Sequence, residues 1–182
     1  MSADRAIQIA VGALGVVVLV VVVVAALQPR ETPVAVQLRA AEGTPVGLAL
    51  LTSAPAGGTN IAVQARGLTP GEHGIHIHEI GRCDPPDFES AGNHFNPFRV
   101  QHGLENPNGP HTGDMPNLPV SGNGTVVNYQ ATISATLDSG KATSLLGSNG
   151  SALVIHAGED DQMTDPAGNS GSRVACGVIA PG

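Results

Sequence analysis

The sequence predicts an all-β domain, a sandwich or barrel of short strands with two long loops, behind one apolar N-terminal segment. Three observations point there. Short stretches of alternating polarity recur between Pro/Gly/Ser/Thr clusters, and no helical period appears after the first thirty residues. Aromatic side chains are confined to Phe88, Phe95, Phe98 and Tyr129, with no Trp, so the core must be built from small and β-branched side chains, which suit a sheet.

The first segment is distinct. Ala6 to Leu27 runs 22 residues without a charge, interrupted in polarity by Gln8. As a helix at about 1.5 Å per residue it would reach roughly 33 Å, enough to cross a hydrocarbon core of about 30 Å. Val24-Ala25-Ala26 offers small residues to a signal peptidase, but the run is longer than an ordinary signal h-region and Asp4 offsets Arg5. Residues 1–30 therefore read as a signal anchor in preference to a cleavable signal peptide, and residues 31–182 as the functional domain. That domain is expected in an extracytoplasmic compartment, tied to the membrane through the N-terminal helix if the helix is uncleaved.

From Glu31 onward the chain carries 14 acids against six bases. A surface so acidic excludes a nucleic-acid binder, which needs a basic footprint. Monomer and homodimer both stay open. Cys83 and Cys176 lie 93 positions apart. In a reducing compartment such cysteines are buried thiols; behind an export segment they favour a disulfide, which would stabilise the fold by roughly 4–5 kcal/mol through loop closure.

The strands follow in order. Val34, Val36 and Leu38 alternate with Ala35, Gln37 and Arg39; 46–51 is an apolar run; 60–65 alternates again. Turn clusters at 53–59 and 68–74 separate them. From Gly81 to Leu118 the pattern stops for nearly 40 residues, too long for an idle loop in a compact domain. Strands return at 124–137 and 151–156, a second loop covers 157–172, and 174–179 closes the domain.

Histidines mark the chemistry. In Gly74-Ile75-His76-Ile77-His78 the two imidazoles fall on one face of a strand and the isoleucines on the other. His156 ends the strand Leu153-Val154-Ile155-His156. The long loop adds His94, His102 and His111-x-x-Asp114, three imidazoles and a carboxylate in a Gly/Pro-rich stretch, a plausible tetrahedral zinc set. His73 falls at a turn outside this scheme and reads as an ordinary histidine.

The runs GIHIHEIG, AGNHFNP, HGLENPNGPHTGDMPNL and AGNSGSRVACGVI together resemble the copper/zinc superoxide dismutases, from about Val34 to the C-terminus, and the loop CDPPDFESAGNHFNP looks closest to the bacterial exported branch. The resemblance implies a Greek-key, eight-stranded β sandwich or barrel of immunoglobulin-like architecture. It implies copper on His76, His78, His94 and His156, and zinc on His94, His102, His111 and Asp114, with His94 bridging the two ions. It further implies Arg173 beside the copper, Asp160 linking ligands of both metals, and a Cys83–Cys176 disulfide. The implied reaction is dismutation of superoxide to O₂ and hydrogen peroxide by a redox-cycling copper, with zinc structural. One departure stands out: the loop after His156 holds four acids and no lysine, so any steering of the anion falls to Arg82 or Arg99.

Overall fold

A computed structural model of the chain describes residues 32–180. The apolar run 6–27, and with it the expected anchor, lies outside the described residues. Among the described residues no helix is long and apolar enough to cross a membrane.

Among the described residues nine strands form two sheets: β1 (Val34–Arg39), β2 (Pro45–Ser53), β3 (Thr59–Arg66), β4 (Gly71–His73), β5 (Ile75–His78), β6 (Leu118–Val120), β7 (Thr125–Ile133), β8 (Ser151–His156) and β9 (Arg173–Ile179). Seven join an antiparallel sheet in the order β5-β8-β9-β1-β2-β3-β7, and β4 pairs with β6. Strands β4 and β5 are one run of chain parted by Gly74, so the chain makes eight strand passes, as expected. Gly74 sits where a Cβ would meet Ser170 Cβ at 2.7 Å and His76 Cε1 at 3.1 Å, so a larger residue would push the second loop off the strand.

The sheet curls around an aliphatic core of Leu38, Leu51, Ile61, Ile75, Ile77, Leu153, Ile155 and Ile179, all at most 1% exposed, with Met115, Leu118 and Leu145 contributed by the loops and β6. The long alternating strands show why: β3 buries Ile61, Val63 and Ala65 and exposes Ala62 and Gln64. The reading of 124–137 as one strand needs correction. Strand β7 ends at Ile133, and the chain then turns so that Thr136 bridges Ser144. The short pair β4–β6 falls inside stretches whose Pro and Gly content reads as turn and loop.

Strands β5 and β8 are buried on both faces. Their inner residues, Ile75, Ile77, Leu153 and Ile155, enter the core. On the other face His76 stands opposite Val154, which in turn stands opposite Cys176 on β9. A second, small apolar cluster of Phe88, Ala91, Ala152, Val154 and Cys176 covers that face, brought there by the loop from Cys83 to Gly92. The Cys83–Cys176 disulfide, with Cα atoms 5.7 Å apart, pins this loop to β9.

Candidate metal centre

Strand register supplies the first part of the site. His76 and His78 leave β5 on the same side, and antiparallel pairing with β8 brings His156 of the strand end beside them. His94 reaches the same place through an isolated bridge to His78, and Asp114 through one to His76. The ring centroids of His76 and His94 are 4.0 Å apart, those of His78 and His94 5.0 Å, and those of His76 and His156 4.9 Å. Ligand-type atoms of His76, His78, His94 and His156 all lie within 4.8 Å of one another, and so do those of His76, His94, His102 and Asp114.

The hydrogen bonds separate the two nitrogens of each ring. His76 Nε2–H donates to Asp160 Oδ2 at 2.7 Å, His78 Nδ1–H to the Gly92 carbonyl at 2.9 Å, and His156 Nδ1–H to the Gly171 carbonyl at 3.1 Å. A carbonyl can only accept, so these contacts fix which nitrogen carries hydrogen. The opposite nitrogens, His76 Nδ1, His78 Nε2 and His156 Nε2, are buried without a partner, as is His94 Nε2. Four buried, unpartnered imidazole nitrogens in one group form a site that fits a cation, because a buried polar atom left unpaired is costly.

The second group is built around one carboxylate oxygen. Asp114 Oδ1 lies 3.0 Å from His94 Nδ1, 3.0 Å from His102 Nδ1 and 3.4 Å from His111 Nδ1. Despite these distances, the His102 and His111 Nδ1 atoms make no hydrogen bond. They point past the oxygen. Donors spaced by about 3.3 Å are what a tetrahedral ion with bonds near 2.0–2.1 Å requires. The tight geometric group contains His76 rather than the expected His111. His76 Nε2 is committed to Asp160, while His111 Nδ1, 3.4 Å from Asp114 Oδ1, is buried without a partner. The other oxygen of Asp114 accepts from the backbone N–H of Gly103 and His111, both at 2.9 Å, which holds the carboxylate in place.

Asp160 joins the groups. Its carboxylate accepts from His76 Nε2 and, at 3.0 Å, from His102 Nε2. Asn117 clamps its backbone on both sides, and Gln162 N–H donates to its Oδ1. Gly168, at φ 60°, is needed beside it, since a Cβ there would collide with Asp160 Oδ1.

Electrostatics agree with a cation site. Burial pushes the imidazoles of His76, His78 and His156 down to about 3, about 2 and about 4, and lowers His94 as well. They are therefore neutral, the form a metal needs. Burial also works against charge on His102, but the carboxylates of Asp114 and Asp160 outweigh it and raise that ring to about 9. Burial alone would raise both carboxyls; their histidine partners instead hold them far below the usual carboxylate range. The donor sets fit one ion held by imidazoles alone and a second held by imidazoles and a carboxylate.

An open cleft of about 560 Å³ is lined by His78, His94 and His156, and Arg173 and Arg99 both line it. Arg173 is half-buried, donating to the carbonyls of Phe88 at 2.6 Å and Gly92 at 2.7 Å. Arg82 is instead tied to Asp84 at the surface, away from the cleft lining. His73, read from sequence as an ordinary turn residue, is 2% exposed; its Nδ1–H donates to the His156 carbonyl at 2.6 Å, and its Nε2 lies 2.8 Å from the Thr69 carbonyl. It braces the strand end that carries His156. Nothing in the local sequence distinguishes it except its place just ahead of Ile75–His78.

Comparison with known proteins gives the same answer from another direction. Residues 46–179 match the family model of copper/zinc superoxide dismutase. Two proteins of Aquifex aeolicus (strain VF5) are similar: superoxide dismutase (Cu-Zn) 1 is 53% identical over 67% of this chain and 73% of its own length, and superoxide dismutase (Cu-Zn) 2 is 49% identical over 76% and 81%. The crystal structure of a superoxide dismutase-like protein from Bacillus subtilis superposes with a TM-score of 0.77 at 42% identity, over 80% of this chain and 97% of that one. With its all-β fold and paired histidine groups, the chain belongs to the copper/zinc superoxide dismutase family, enzymes that dismutate superoxide with copper and zinc as cofactors.

Proposed function

We propose that His76 Nδ1 and the Nε2 atoms of His78, His94 and His156 hold the copper, and that the Nδ1 atoms of His94, His102 and His111 with Asp114 hold the zinc. The observation that carries this assignment is the set of six buried ring nitrogens without a partner, one from each of these histidines. His94 serves both ions, its Nδ1 turned to the Asp114 side and its Nε2 to the copper side.

When bound, copper supplies the one-electron couple of the reaction and zinc a fixed charge that steadies the loop and polarises the shared imidazole. The chain does the rest. Arg173 presents a positive charge at the cleft floor, held rigid by two carbonyls, and there it binds and orients the small anion. His94 Nε2 is the atom that can take up a proton and return it to the reduced product, because its other nitrogen stays turned to the Asp114 side. Asp160 keeps His76 and His102 in their working tautomers, so that the two groups keep one alignment.

Residues 1–30 act as the export segment and anchor of a domain spanning 31–182, which works outside the cytoplasm. The disulfide supports an oxidising compartment. Terminal sequencing of the membrane-associated protein tests this: an intact Met1 supports the anchor, and a terminus near Ala26 overturns it. The ligand assignment is tested by loading the protein with copper and zinc and following superoxide loss. Uptake of one equivalent of each with turnover is expected; uptake without turnover would identify a metal carrier instead.

A further inference from the structure

The loop after His156 holds four acids and no lysine, so the cations that line the cleft come from other segments. Two cations and two carboxylates line it: Arg99, Arg173, Glu79 and Asp165. Both carboxylates are occupied by backbone donors, Glu79 Oε1 by Asn93 N–H at 3.2 Å and Asp165 Oδ1 by His102 N–H at 2.8 Å. Arg173 is bound by neutral carbonyls and keeps its charge free for a ligand. Arg99 is exposed and, among the described residues, has no ion pair or side-chain hydrogen bond, whereas Arg82 and Lys141 are tied to Asp84 and Asp138.

The backbone holds Arg99 in an unusual way. Its φ is 54°, the left-handed region that L side chains seldom adopt. Asn96 enforces it with a closed clasp: its Nδ2–H donates to the Val100 carbonyl at 2.8 Å, its Oδ1 accepts from Val100 N–H at 3.1 Å, and its carbonyl accepts from Arg99 N–H at 3.2 Å. Asn96 itself lines the cleft. A turn so constrained, carrying an unpaired cation where glycine would fit with less strain, is a local cost that a role in ligand capture explains.

We propose that Arg99 is the anion-capture residue of this enzyme, drawing superoxide to the cleft mouth, from which Arg173 receives it. This inference rests on the reading of the cleft as the superoxide channel. The test uses the full chain loaded with both metals. Superoxide loss is timed across ionic strength from about 10 mM to about 300 mM, where screening lengths fall from about 30 Å to under 10 Å. At the low end Arg99→Gln is expected to slow the second-order rate about 2–3-fold and Arg99→Glu about 5–10-fold, with Arg99→Lys close to wild type. The salt dependence should flatten in the first and invert in the second, while metal content and the copper spectrum stay unchanged. Lys141→Glu, the same charge change on a distant turn, should leave rate and salt slope as they are. If Arg99→Glu matches wild type at every ionic strength, or Lys141→Glu slows the enzyme equally, the capture role is overturned. Should Arg99→Glu load metal poorly, the Gln and Lys pair reads the same difference. An inert, fully loaded wild type would defeat the functional reading itself, a result distinct from variants that match wild type.

Discussion

Two parts of one sheet follow different rules. In β2, β3 and β7 the side chains alternate, inner ones buried and outer ones in water, and even Leu48 and Val127 stand 46% and 63% exposed. In β5 and β8 every residue is buried. The first part has one working face and is scaffold. The second has two, a core face of isoleucine and leucine and a site face of histidine, and the long loops seal the second face. A strand can carry buried polar groups in quantity only when something covers them and supplies partners.

The largest effect should come from the site face. His94→Ala removes the donor that the proposed assignment shares between the two ions, so activity should fall to background and copper and zinc should both be lost on dialysis. Retention of both metals at full occupancy would break the two-group description. The core face comes next. Leu153→Ala, at a fully buried position, should cost about 2–5 kcal/mol in denaturant unfolding, whereas Val127→Ala on the open part should stay within about 0.5 kcal/mol. Equal costs would erase the contrast between the two parts of the sheet.

Asp160→Asn should leave the fold intact and lower metal affinity about 10–100-fold, measured by competition with a chelator, because it loosens His76 and His102 together. The smallest effect is a pH dependence of the metal-free protein. His76, His78 and His156 are depressed from 6.5, so their contribution is complete above 6.5 and is lost as pH falls toward 4 and below. Asp114 and Asp160 act in the same direction below about 4. His102 is raised, so its contribution is complete below 6.5 and is lost as pH rises toward 9. Unfolding midpoints in chelator should therefore peak near neutrality, with the steeper limb on the acid side. A midpoint that rises steadily into acid would contradict this.

How much of this was legible in the sequence differs between the same two regions. The open part announces itself by alternation, as at Val34–Arg39 and 60–65, because water on one face enforces period two. His76 and His78 were legible for a related reason: a strand places i and i+2 together. The zinc-type group was legible as chemistry but not as geometry. Nothing in the spacing of His94, His102, His111 and Asp114 tells which nitrogen faces which ion; that comes from carbonyls and carboxylates distant in sequence. Strands β4 and β6 were missed because three residues are too few to show a period. The brace formed by His73 was invisible because its partner is a backbone oxygen 83 positions away.

The carbonyl of Gly92 receives both His78 Nδ1–H and Arg173 Nη2–H. One oxygen is thus the common fulcrum of the proposed copper donor and the proposed anion anchor. Any displacement of the chain there moves both, so substitutions between Cys83 and Gly92 cannot adjust substrate affinity while leaving the copper environment alone. For anyone redesigning this enzyme, those ten residues are one adjustable part.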